Sequence, residues 1–125
     1  MYRQVDAEIL GELQKIVDPE NLILDAEHLE PYTHDETVGL QASPEVVVRV
    51  TSAQQVAEVF RLANRHRVPV TPRGAGYGLS GGAVATQGGI VLSLEKMDRV
   101  LEIDHDNLMV TVEPGLITGE LHRAV

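Results

Sequence analysis

From Thr71 to Gly82 the sequence reads Thr-Pro-Arg-Gly-Ala-Gly-Tyr-Gly-Leu-Ser-Gly-Gly, and seven of the chain's 11 glycines lie between Gly74 and Gly89. Glycine permits positive φ and leaves no side chain between the main chain and a ligand. Successive N–H groups in such a loop can converge into a concavity for a phosphate or pyrophosphate. Arg73, at the mouth of the loop, would add a fixed charge with planar donors. The same glycines could equally serve tight turns for steric reasons alone, so the pattern needs testing against known phosphate loops.

It is not a P-loop, because no Gly-Lys-Ser/Thr closes it. Gly76-Tyr-Gly-Leu-Ser-Gly81 matches G-x-G-x-x-G, but the Rossmann form opens a long helix, whereas Gly82–Gly89 adds further glycines and runs towards an apolar segment. A nicotinamide domain is therefore disfavoured. Ser80 stands in Leu-Ser-Gly rather than G-x-S-x-G, so a hydrolase elbow is unsupported. The histidines at 28, 34, 66, 105 and 122 lack metal-ligand spacing. His34 and Asp35, within Tyr32-Thr-His-Asp-Glu-Thr37, could form a polar pair at a site or be ordinary turn residues.

The loop must hang between elements. Val68–Thr71 and Ile90–Leu94 read as flanking strands. Glu45–Val50 is a β-branched strand, followed by Ser52 and Gln55 in capping-box spacing. Val56, Val59, Phe60 and Ala63 then give the apolar stripe of a helix, with Arg61, Arg65, His66 and Arg67 at its C-terminal end. Strand, helix and strand form a βαβ unit, expected to be parallel with a right-handed crossover. Asp6 caps a first helix whose Ile9, Leu10, Leu13, Ile16 and Val17 share a face, with Val5 and Leu10 as its staple, and Asp18-Pro19 stops it. The segment from Glu20 to Glu30 allows an extended piece at Leu22–Leu24 and a helical turn at Ala26–Leu29. Arg99–Asp104 and Leu108–Glu113 flank a His-Asp-Asn turn and read as a hairpin. Pro114-Gly115 ends it, and Thr118 starts a helix in which the chain stops.

A length of 125 residues fits one domain with a modest core. Aromatics are scarce, so that core must be aliphatic. A net charge of −9 argues against nucleic acid and anionic membranes as partners. Without cysteine there can be no disulfide, Fe–S cluster or thiolate site. The charged N-terminus has no signal-peptide core and no run approaches transmembrane length, so a cytoplasmic location is expected.

Four segments together resemble a known family: Pro72–Ala83, Gly88–Leu94, Met97–Asp104 and Thr111–Gly115. They closely resemble, in order, the FAD-linked oxidases of the vanillyl-alcohol-oxidase (PCMH) type, nearest the glycolate oxidase D subunit and D-lactate dehydrogenase branch. The resemblance implies an α+β fold in which a small mixed sheet with a parallel βαβ unit is flanked by helices. On this basis residues 1–42 are a lead-in and 43–125 the first subdomain of a PCMH-type FAD-binding domain. The second subdomain and substrate cap are missing, so the chain reads as an N-terminal fragment.

By the same resemblance, Arg73, Gly74, Ala75, Gly76, Tyr77, Gly78, Leu79, Ser80 and Gly81 would wrap the FAD pyrophosphate, with Ser80 adding a side-chain donor. Members that tether the flavin covalently through this loop carry His where this chain has Tyr77, so FAD is expected to bind non-covalently. Tyr77 also departs from the usual Thr. The implied function is the FAD-binding part of an oxidoreductase taking a hydride equivalent from a 2-hydroxy acid, glycolate or D-lactate, with partner subunits of an oxidase complex allowed. Two alternatives stay open: another PCMH flavoenzyme, or a non-catalytic module that packs on a missing domain or partner chain.

Overall fold

In the computed structural model, which describes residues 2–77 and 81–125, the chain builds a four-stranded sheet and a separate two-stranded one. In the larger sheet the order is β1 (Leu22–Ile23), β2 (Val46–Arg49), β4 (Ile90–Ser93) and β3 (Val70–Arg73). β1 runs antiparallel to β2, whereas β2 and β3 both run parallel to β4. The expected βαβ unit is present, but β4 lies between its two strands. The helix of that unit, α3 (Ala53–His66), therefore crosses over a strand that comes later in the chain.

The β-branched run of β2 is explained by burial on both faces, the usual state of a parallel strand. Val46, Val48 and Val50 pack with Ile90 and Leu92 against Ile9, Leu13 and Val17 of the N-terminal segment and Val59, Leu62 and Ala63 of α3. Val47 and Val91 point the other way, onto Leu29, Tyr32 and Ala85. The lead-in thus supplies part of both cores. α1 (Ala7–Gln14) contributes to the first core and is capped by Asp6, whose Oδ1 accepts from Ile9 N at 3.0 Å. α2 (Ala26–Leu29) contributes to the second.

Three local expectations are revised. The α3 stripe runs through Val59, Leu62 and Ala63, while Phe60 is 44% exposed, because a 3.6-residue period continued from Val59 reaches 62 and 63. Gln55 completes the cap by accepting from Thr51 N at 2.7 Å, one residue before the Ser52 cap. The third strand starts at Val70 rather than Val68. Arg67 ends α3 in the left-handed conformation (φ 56°), so Val68 and Pro69 turn the corner. Pro72 is tolerated in β3 because that strand lies at the sheet edge.

The smaller sheet is the expected hairpin, β5 (Val100–Asp104) and β6 (Met109–Val112), with Asp104 Oδ1 accepting from Asn107 N in the turn. After it, the Gly115 amide donates to Met97 O at 2.7 Å. α4 (Thr118–Ala124) follows and buries none of its residues. Among the described residues no helix is long and apolar enough to cross a membrane.

Candidate functional site

The glycine-rich loop leaves the C-terminal end of β3 and returns to the start of β4, the position where parallel α/β sheets present ligand sites. Three of its glycines are held by geometry, among them Gly89, at φ +73° with a Cβ position 2.4 Å from the Pro69 carbonyl oxygen. Gly76 has φ +80°, and a Cβ there would lie 2.1 Å from the Arg73 guanidinium. Gly81 has φ +75°, and a Cβ there would lie 2.4 Å from Leu40. No L side chain suits such φ values at such approach distances. Gly78, Leu79 and Ser80 lie outside the described residues.

The structure does not leave Arg73 at the mouth of the loop. Its side chain turns inward and is 7% exposed. The guanidinium donates to the carbonyls of His34 at 2.7 Å, Pro31 at 2.8 Å and Ala83 at 3.4 Å, and it sits 5.5 Å over the Tyr32 ring. A planar fork can serve three carbonyls at once, and a buried cation must find such partners. Tyr32 in turn donates its hydroxyl to Glu95. Burial first, then that hydrogen bond, pushes the Tyr32 phenol up to about 12.

Asp35 and His34 do not pair. His34 Nδ1 lies 3.1 Å from Thr33 Oγ1, and Asp35 Oδ1 accepts from Thr37 N at 2.8 Å. Asp35 is buried, and its carboxyl is held below the usual range by the Thr37 side chain and amide, with the Gly81 and Ala83 amides adding to the effect. Its Oδ2 makes no hydrogen bond among the described residues. Composition and spacing could not reveal that Pro31, Tyr32, Asp35 and Glu95 converge beneath the loop. The one available signal was the polar Tyr32–Thr37 run preceding the first long strand.

On the loop's outer side lies an open cleft of about 590 Å³. Ala75 and Tyr77 form one wall and Gly115, Leu116 and Ile117 another. Tyr77 is 69% exposed. Gly115 is required here, since a Cβ would meet Leu94 O at 1.9 Å. Pro114-Gly115 therefore ends the hairpin and also shapes this wall. Arg49 and Lys96 face the cleft together with Glu95, Asp98 and Glu120. Three carboxylates against two cations make a poor electrostatic trap for an anion, so backbone donors must supply most of the attraction to a pyrophosphate. The small residues Gly74–Gly76 and the open cleft that Ala75 and Tyr77 line fit a dinucleotide cofactor lying along the loop.

A family model described as "FAD binding domain" matches residues 44–125. D-lactate dehydrogenase from Anaerostipes hadrus is 39% identical over 121 residues, covering 96% of this chain and 25% of that protein. Glycolate oxidase subunit GlcD of Bacillus subtilis is 40% identical over 94 residues, covering 75% of this chain and 20% of that protein. The chain thus spans about a quarter or less of the length of these relatives. Among solved structures, p-cresol methylhydroxylase superposes with a TM-score of 0.82 at 25% identity, over 94% of this chain and 24% of that one. Alkyldihydroxyacetonephosphate synthase gives 0.85 at 19% identity, over 99% and 27%, a likeness of fold alone. With more than half its length matched, and its glycine loop at the mouth of the cleft, this chain belongs to the FAD-binding domain family of PCMH-type flavoproteins.

Proposed function

We propose that this chain is the FAD-binding part of a flavin-dependent oxidoreductase acting on a 2-hydroxy acid, glycolate or D-lactate. The observation that carries the proposal is the glycine-rich loop between β3 and β4, whose Ala75 and Tyr77 line an open cleft. The relatives named above favour hydroxy acids over phenols. The flavin supplies the two-electron chemistry when bound, and the protein binds and orients it.

In this reading Gly74, Ala75, Gly76 and Gly81 present backbone amides to the pyrophosphate, with Gly78, Leu79 and Ser80 completing the wrap. Tyr77 lies along the cleft wall, and FAD is held without a covalent bond. The enzyme works in the cytoplasm, and the remaining chain, with any partner subunits, provides the substrate pocket and the electron acceptor. The 125 residues alone bind FAD weakly and turn nothing over, because the rest of the cofactor's enclosure belongs to other segments.

The test uses the full-length protein carrying these residues. Acid precipitation should release its flavin into the supernatant, and dye reduction should follow addition of glycolate or D-lactate. Flavin that stays with the pellet would overturn the non-covalent assignment. Dye reduction with 4-alkylphenols and none with hydroxy acids would overturn the substrate class.

A further inference from the structure

Resting on that cofactor reading, we infer that Arg73 and Asp35 are positioning residues that set the glycine loop from beneath, and that Arg73 is not a phosphate ligand. The lead-in and the loop meet along one seam. Arg73 leaves the end of β3, directly before Gly74, and its guanidinium reaches back to the carbonyls of Pro31 and His34 and across to that of Ala83. One side chain therefore ties the lead-in to the start of the loop and to its middle at Ala83.

The seam is tight. Gly76, at positive φ, is pressed onto the Arg73 guanidinium that grips the lead-in, and Gly81, also at positive φ, rests on Leu40 of the lead-in itself. Asp35 belongs to the same stretch of the lead-in, one residue after the His34 carbonyl that Arg73 grips. It is 5% exposed, is bonded to the Thr37 amide, and has an Oδ2 without a hydrogen-bond partner among the described residues. Thr37, whose amide this carboxylate holds, lies against Gly81, with Oγ1 4.0 Å from where a Cβ there would stand, so Asp35 braces the wall on which the loop rests.

The Arg73 donors directed at carbonyls are consumed, and a side chain 7% exposed is not presented to the cleft. What it offers a bound pyrophosphate is the shape of the backbone in front of it. Lysine separates the two roles. A phosphate ligand tolerates lysine as a point charge, whereas a clamp on three carbonyls needs the planar fork.

The experiment measures FAD affinity by flavin fluorescence in the full-length apoprotein for wild type, Arg73→Lys, Arg73→Ala, Asp35→Asn and Gly74→Asp. Backbone amide exchange over 74–77 and 81–85 is recorded without FAD. The inference expects Arg73→Lys to lose affinity as severely as Arg73→Ala, at least about tenfold, and to speed exchange of the loop amides while melting within a few degrees of wild type. Asp35→Asn, nearly isosteric, should shift both readouts in the same direction by less.

Arg73→Lys within about twofold of wild type while Arg73→Ala collapses would make Arg73 a ligand and overturn the inference. Unchanged loop exchange in Arg73→Lys and Asp35→Asn would also overturn it. Failure of Gly74→Asp to weaken FAD would instead sink the cofactor reading. The exchange data would still decide the clamp.

Discussion

The four-stranded sheet and the β5–β6 hairpin are both strand pairings of a few residues, yet they are held in different ways. In the sheet, Val46, Val47, Val48, Ile90 and Val91 are each 0% exposed, sandwiched between α1 and α3 on one face and Leu29, Tyr32 and Ala85 on the other. In the hairpin, Leu101, Leu108 and Met109 are more than half exposed, and the ladder is supported mainly by its turn and by Arg99 donating to Glu113. The sheet buries enough apolar surface to order itself, and it carries the glycine loop. The hairpin supplies one wall of the cleft through Gly115. The candidate site is thus built half on a buried element and half on a more exposed one.

The largest break in this comparison should come from the sheet. Leu92→Ala removes a side chain buried between α3 and the strands, and should cost about 2–5 kcal/mol in urea unfolding. The exposed counterpart, Leu101→Ala, should change stability by no more than about 0.5 kcal/mol. Near-equal losses would mean the two regions are equally packed. Next in size, Gly115→Ala forces a methyl onto the Leu94 carbonyl, and should cost about 1–3 kcal/mol while displacing the cleft wall. A crystal structure of that variant with an unmoved Leu116 would count against this reading.

A smaller effect is expected from pH. The Tyr32 phenol is raised in the folded state, so its contribution to stability is present below pH ~10 and is lost as pH rises towards 12. Glu113 is shifted the other way. Arg99 holds its carboxyl low, so its contribution is present above the ordinary Glu range and is lost as acid titrates the folded group. The hairpin should therefore loosen in acid before the sheet, visible as amide protection factors that fall in β5 and β6 while those of β2 and β4 hold. Protection factors of β5 and β6 in Glu113→Gln at neutral pH should resemble those of the native chain in acid. Identical behaviour of native and variant chains at both pH values would remove that ion pair from the explanation.

Much of this was legible in the residues. The capped helices, the β-branched strands and the hairpin turn follow from local chemistry, and the glycine loop announced itself by composition. What was not legible depends on long-range pairing. Periodicity cannot show that β4 inserts between β2 and β3, because strand order is decided by which apolar faces meet across tens of residues. Arg73 was read as a charge at the loop mouth because a sequence gives no direction for a side chain. Two of its three carbonyl partners, Pro31 and His34, lie about forty residues earlier in the chain. Tyr32 and Asp35 carried only a weak signal for the same reason.

The central claim, that the glycine loop cradles the pyrophosphate of FAD, is tested most directly by titrating FAD into the isotopically labelled chain and following its backbone amides by NMR. The account predicts that the amides of 74–77, 81–83 and 115–117 shift together and saturably, and that Gly74→Asp weakens the effect by at least about tenfold. Shifts confined to other surfaces, or binding that Gly74→Asp leaves unchanged, would contradict it.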